Sequence, residues 1–188
     1  MHCTRVGWAV PTMTAVSTAR VQSRRTILLQ SLADLASEVD RVCASAAAGR
    51  VRPLGNWTAA QVLQHLALFI AGSLDGFAFQ YPLRLRCQAW LLGLISWPLL
   101  MRLAFRPGFR NPPAAASVEP DPAITLEHAA ANLRRQLQRL ASGERMTHRS
   151  PTGERLSHDQ WLECHLRHAE LHLSFLLLEA EPAASPRS

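Results

Sequence analysis

The 188-residue chain contains no lysine; all 20 of its basic residues are arginine. Set against 14 acidic residues they leave a formal charge of +6, but they are scattered over most of the sequence. With so much alanine present, the arginine bias reads as GC-rich coding rather than as selection for a polyanionic partner. Scattered charge gives a mild electrostatic bias and no defined nucleic-acid surface. A basic helix with interleaved aromatics, a zinc-finger spacing and an RNA-recognition pattern are all missing, so no nucleic-acid partner is expected. A helix-turn-helix reading is missing too, which ranks a transcriptional regulator last.

Other absences narrow the chemistry. The four cysteines, Cys3, Cys43, Cys87 and Cys164, form no C-x-x-C pair. That excludes a cysteine zinc knuckle and a disulfide framework, and points to a reducing, cytoplasmic setting. There is no glycine-rich phosphate loop, no G-x-S-x-G elbow and no H-E-x-x-H, so the best-defined nucleotide, serine-hydrolase and zinc-protease motifs are not in play. No fixed-length repeat and no sustained period-two alternation occurs, so strands are expected to be incidental. The longest apolar stretch, Ala89 to Met101, is interrupted by Ser96 and Pro98. A spanning helix needs roughly 20 apolar residues, so residues 83–105 are read as a kinked, buried helix or an interfacial segment. Membrane contact is not expected.

What is present is the material of one helical domain. Apolar residues make up 48% of the chain and charged ones 18%, which suits one globular unit with a full core at this length. Residues 23–180 are read as that domain, residues 1–22 as a disordered N-terminal extension with Met13 as an alternative start, and residues 181–188 as a disordered tail. Arg24-Arg25 before Ile27, Leu28 and Leu29 has the look of a twin-arginine signal. Asp34, Glu38 and Asp40 interrupt the apolar region such a signal needs, so export is not expected.

Helical spacing organises the rest. Leu28, Leu32, Leu35, Val39 and Val42 predict an amphipathic helix over about 26–48. Thr58 with Gln61 is a capping box, flanked by the staple pair Trp57 and Val62, and opens a helix that the Asp75-Gly76 pair closes near residue 74. Residues 106–122 read as an irregular connection. Asp121 followed by Pro122 predicts the next helix start, with Ile124, Ala130, Leu133, Leu137 and Leu140 on its apolar side and Ser142-Gly143 as its stop. Ser157 with Gln160 is a second capping box, its staple Leu156 and Trp161, for a last helix expected to reach about Ala180. The class is all-α, a bundle of four long helices with an additional short or kinked one.

Chemistry concentrates on the last helix. Trp161, His165, His168 and His172, spaced by four, three and four residues, share one face. His168 and His172 lie one turn apart and can converge on one ion, with His65 on the Thr58 helix as the third imidazole. His165, one turn nearer the helix start, is open as a fourth ligand, an acid/base group or a supporting partner. The bland alternative is a set of partly buried structural histidines. Trp57 and Trp161 are read as core staples, Cys164 as a buried inert thiol, and His128, His148 and His158 as solvent-facing. Glu163 and Glu170 are read as a solvated face.

Trp57-Thr58-x-x-Gln61-x-x-x-His65-Leu66 resembles the second-helix signature of the DinB-like superfamily of bacterial four-helix-bundle metal-binding proteins. His168-x-x-x-His172 followed by Leu173-Ser174-Phe175 resembles its final-helix motif. Arg24-Arg25-Thr26, Gly55-Asn56-Trp57, Ser73 to Phe77, Pro107-Gly108-Phe109 and Gln160 to Phe175 are similar to a domain-of-unknown-function branch of that superfamily. The resemblance covers about residues 24–180. It implies His65, His168 and His172 as ligands of a divalent transition metal, with zinc, nickel and iron all open. Characterised relatives imply a metal that holds the thiolate of a low-molecular-weight thiol; the leading expectation for this chain is a small-molecule transferase or hydrolase using an activated thiol or water, with His165 as proton shuttle. Many relatives carry Arg-Gly-Gln where this chain has Leu173-Ser174-Phe175, so their substrate contacts do not transfer. The competing reading is a non-catalytic bundle that dimerises, or touches a membrane, through residues 83–105.

Overall fold

Side-chain caps set the phase of the main helices. The computed structural model describes residues 16–109 and 111–179; the expectations for residues 1–15 and 181–188 lie outside them. Helix α1, Leu32–Ala47, is opened by the reciprocal capping pair Ser31 and Asp34. Helix α2, Ala59–Asp75, and the last helix, His158–Leu173, begin at the boxes Thr58/Gln61 and Ser157/Gln160, as their sequences predict. Each box satisfies two amide donors that the first turn leaves unpaired. Gly76 ends α2 at φ +101°, a conformation that a side chain disfavours.

Between α2 and the last helix lie α3, Leu83–Ile95, α4, Trp97–Ala104, and α5, Leu126–Ala141. The last helix is therefore α6. Six α-helices, two 3-10 turns at Thr18–Arg20 and Pro113–Val118, and two short strands make up the regular structure of the described residues. Helices α2, α5, α6 and α1 surround the core. Its centre is Leu35 and Val39 of α1, Leu63 and Ile70 of α2, Leu133 of α5, and Trp161 and Leu173 of α6, all 2% exposed or less. The helical class stands.

Several boundaries differ from the sequence expectation, each for a local reason. Leu28 is 69% exposed and precedes α1, because the Ser31 cap starts the helix one turn later. Asp121 forms a turn, its carboxylate accepting from the Ala123 amide at 2.8 Å, and Thr125 is the true cap of α5. The break in residues 83–105 falls at Ser96, whose extended backbone separates α3 from α4 and whose hydroxyl caps Leu99. Pro98 sits in the first turn of α4, where its missing N–H costs no helix bond. The outer side of this segment is not buried: Leu83, Trp90, Leu91 and Leu94 are all more than half exposed.

Helix α6 stops at Leu173 rather than near Ala180. The Ser174 hydroxyl donates to Leu171 O, and the chain turns into β2, Leu176–Leu178, antiparallel to β1, Val51–Pro53, with Val51 opposite Leu178. A short apolar run fits helix or strand equally, and pairing with β1 decides it. Arg25 fixes this corner. Its guanidinium donates to Leu176 O at 2.6 Å and pairs with buried Glu38 at 2.6 Å. Those contacts give the Arg24-Arg25 pair a structural role, with Arg24 donating to the Ser174 hydroxyl. Residues 16–22 of the expected extension include a 3-10 turn, and the Val16 amide donates to Asn56 at 2.7 Å.

Leu133 has no exposed surface and lies in the central core cluster. Leu133→Ala is expected to cost about 2–5 kcal/mol of unfolding free energy, through lost burial plus a residual cavity. Urea denaturation checks this, and a loss near zero would mean that this interior is not close-packed.

Candidate metal centre

Helix α2 delivers His65 from two turns inside its capped start, and α6 delivers His168 and His172 one turn apart. His65 is 3% exposed, His168 is 7% exposed and His172 is half-buried. Their ligand atoms all lie within 4.8 Å of one another. The Nε2 atoms of His65 and His168 are 3.1 Å apart, a separation suited to two nitrogens sharing an ion at about 2.0–2.1 Å. Two ligands on one ion at that bond length cannot be more than about 4.2 Å apart, so a pair at the wide limit must close by about half an ångström.

The protons are placed by neighbours. His65 Nδ1 lies 2.6 Å from the Val118 carbonyl oxygen, which can only accept. Nδ1 therefore carries the hydrogen, and Nε2 turns its lone pair toward His168. Trp57 stacks on His172 with ring centroids 5.3 Å apart, while the Phe69 and Phe105 rings pack against His168 at 4.5 and 5.4 Å. Burial holds the pKa of all three imidazoles below the usual histidine value. For His168 the drop is large, with His172, His65 and His165 adding charge repulsion, and for His172 it is large with a contribution from His65. For His65 the Val118 bond and Glu119 partly oppose the drop. All three are thus neutral near pH 7, the form that coordinates metals.

The three histidines line a cavity of about 890 Å³. Its walls include Trp57 and Phe69, the inner side of α3 through Leu85, Ala89 and Leu92, and Met101 and Phe105 from the α4 end. A polar arm forms part of its lining. The Tyr81 hydroxyl donates to Asn111 at 3.4 Å, and the Asn111 amide donates to Glu119 at 2.8 Å. Burial, then the nearby Glu119, pushes the Tyr81 phenol up to about 12, so it remains a donor. No local sequence signal marks this arm. A lone tyrosine, an asparagine and a glutamate 30 and 38 positions further on form no local motif.

A family described as a protein of unknown function, DUF1569, matches residues 21–179. The chain belongs to the DUF1569 family. No curated protein and no solved structure matches it.

Other residues singled out in this DUF1569 chain take different places. His165 Nε2 lies 2.9 Å from the Ser73 hydroxyl, which itself donates to Ile70 O. With that single hydroxyl proton committed, His165 Nε2 must carry hydrogen, and it points at Ser73 rather than at the ligand cluster. Burial lowers its pKa to about 3, and it stacks on Trp161 at 5.4 Å, outside the cavity lining. Cys164 is buried and lines the cavity, with its thiol pushed up to about 12 by burial and Glu163, so it stays protonated. Trp161 is a core residue at 1% exposure that also reaches the cavity.

The two glutamates do not form a solvated face. Glu163 accepts from Trp97 Nε1 at 2.6 Å and ties α4 to α6, and Glu170 accepts from the Leu29 amide at 2.7 Å and pairs with Arg167. Trp97 and Leu29 lie 66 and 141 residues away from them along the chain, beyond any helical spacing rule. His128 and His148 are exposed as expected, but half-buried His158 accepts from the Met146 amide at 3.3 Å.

The depressed histidines have a pH consequence for the metal-free protein. Above about pH 6.5, both folded and unfolded forms hold them neutral. Below it, the unfolded chain takes up protons that the folded protein refuses, so stability falls as pH drops toward the folded values. Each such group removes about 1.4 kcal/mol per pH unit in that window. Denaturant midpoints of metal-free protein are therefore expected to fall clearly from pH 7.5 to pH 5, and a flat profile would show that the imidazoles are not desolvated.

Proposed function

We propose that this DUF1569 chain is a DinB-like four-helix-bundle protein that binds a divalent transition metal through His65, His168 and His172. The single observation that carries this is the convergence of three neutral imidazoles within 4.8 Å at the wall of a large, mainly apolar cavity. Structural histidines are usually satisfied by donors and acceptors around them. Here the His65 lone pair faces another imidazole, with the Val118 carbonyl holding the opposite nitrogen. A hydrogen on His168 Nε2 satisfies that lone pair in the metal-free protein, and with the hydrogen on His168 Nδ1 instead, both Nε2 atoms turn lone pairs to a cation between them.

Zinc, nickel and iron all accept imidazole nitrogen, and three protein ligands leave positions open. An ion held there would supply Lewis acidity, lowering the pKa of a thiol or water brought to it. The chain's own residues provide the rest. Trp57 packs against the His172 ring, and Phe69 and Phe105 against the His168 ring, which limits how the imidazole planes can turn. Tyr81, Asn111 and Glu119 offer a donor and acceptors to the polar part of a small molecule lying against the apolar wall. His165 is a positioning residue in this reading. Its hydrogen bond to Ser73 joins α6 to α2 one turn from His168. The reaction this supports is transfer or hydrolysis of a small substrate with a low-molecular-weight thiol or water as nucleophile.

The test is elemental analysis of purified protein beside His168→Ala, after zinc, nickel and iron have each been offered. Close to one metal per chain is expected in the parent. The variant should lose it while keeping its helical circular dichroism. Equal metal in both proteins, or none in the parent with every ion, would reject the assignment.

A further inference from the structure

Helix α3 carries two apolar stripes on opposite sides. Leu85, Ala89 and Leu92 face the cavity. Leu83, Cys87, Trp90, Leu91 and Leu94 are exposed, and at about 100° per residue their spacing gathers them on the other side. Leu83 is 70%, Trp90 59% and Leu94 64% exposed, far more than core-forming residues of a helix leave in water. Leu99 on α4 and Phe109 just beyond it extend the exposed apolar set. The main packing partner of α3 is α4, and no other element among the described residues packs extensively on it.

Charge identifies what covers this face. From Gly76 to Val118 the chain has five arginines, Arg84, Arg86, Arg102, Arg106 and Arg110, and no aspartate or glutamate. On the α3 wheel, Arg84 and Arg86 fall at the two edges of the outer stripe. Arg84 and Arg106 are exposed and make no ion pair among the described residues. A second copy docking symmetrically through the same face would bring two arginine-rich, acid-free segments together, and such like-charge contact is costly. A polyanion such as RNA would use the arginines but leave Trp90 and the leucines in water. An anionic bilayer satisfies both features: leucine and tryptophan enter the headgroup boundary while arginine stems lie along the apolar surface and their heads reach phosphates.

We infer that α3 and α4, joined at Ser96, form an interfacial segment that seats the protein on an anionic lipid surface. Among the described residues no helix is long and apolar enough to cross a membrane, so the segment lies in the interface plane. The cavity wall formed by the inner stripe then borders the lipid. This takes up the competing reading in which residues 83–105 touch a membrane, and it stands whether or not the histidines bind metal.

Vesicle flotation of the full-length protein tests it, using phosphatidylcholine alone and phosphatidylcholine with about one-third phosphatidylglycerol. The protein is expected to float with the anionic vesicles, less so with neutral ones, and to be released as salt rises. Leu91→Glu combined with Leu94→Glu should cut the bound fraction by about tenfold. Both side chains are exposed, so circular dichroism and Tm should hold. Arg84→Gln should weaken anionic-vesicle binding while neutral-vesicle binding stays as it is. Absence of flotation, or a double variant that floats like the parent, would overturn the inference. A lipid-free dimer by light scattering that the double variant turns monomeric would assign the face to a second copy instead. RNA binding with salt sensitivity but no response to the double variant would assign the arginines to a polyanion.

Discussion

One hydrogen bond organises the candidate centre: the His65 Nδ1–H donates to the Val118 carbonyl across 53 residues. It fixes the tautomer, aims Nε2 at His168 and ties α2 to the 3-10 turn at Pro113–Val118. That turn has its own small apolar anchor, with Val118 and Ala115 buried beside Phe79. The ligand geometry therefore depends on a loop being held in place by packing. A carboxylate in place of the carbonyl would bring negative charge to His65 and favour its protonated form. The carbonyl orients the ring and adds no full charge.

The neighbourhood of the three imidazoles is costly for protons and favourable for a cation that needs neutral ligands. Aromatic rings surround the nitrogens, and the buried amide and hydroxyl partners go to His65 and His165 rather than to His168 and His172. Such a site spends folding free energy in acid, where unfolded histidines charge. It recovers binding free energy from an ion that competes with few protons near neutral pH.

Much of this was legible in local sequence. The capping boxes at Thr58/Gln61 and Ser157/Gln160 start α2 and α6 where expected, and those starts put His65, His168 and His172 at mutually reachable depths. Helical spacing also placed the α5 core residues Ala130, Leu133, Leu137 and Leu140 on its buried side. What stayed hidden is non-local. The Val118 acceptor, the Tyr81–Asn111–Glu119 arm and the Trp97–Glu163 tether each join residues whose meeting depends on packing of distant segments. The end of α6 was hidden for another reason. Leu173 to Leu178 carries no glycine or proline stop, and only β1 decides that the run becomes a strand. In α3, two apolar stripes cancel each other's helical signature, so sequence hydropathy reads as burial although one stripe faces solvent.

The most direct test of the central claim is X-ray absorption spectroscopy on protein loaded with zinc or nickel. Three imidazole ligands with nitrogen at about 2.0–2.1 Å, and light-atom scatterers completing the shell, are expected. A spectrum with fewer than three imidazoles, or with sulfur at about 2.3 Å in the protein without added thiol, would contradict a centre built from His65, His168 and His172.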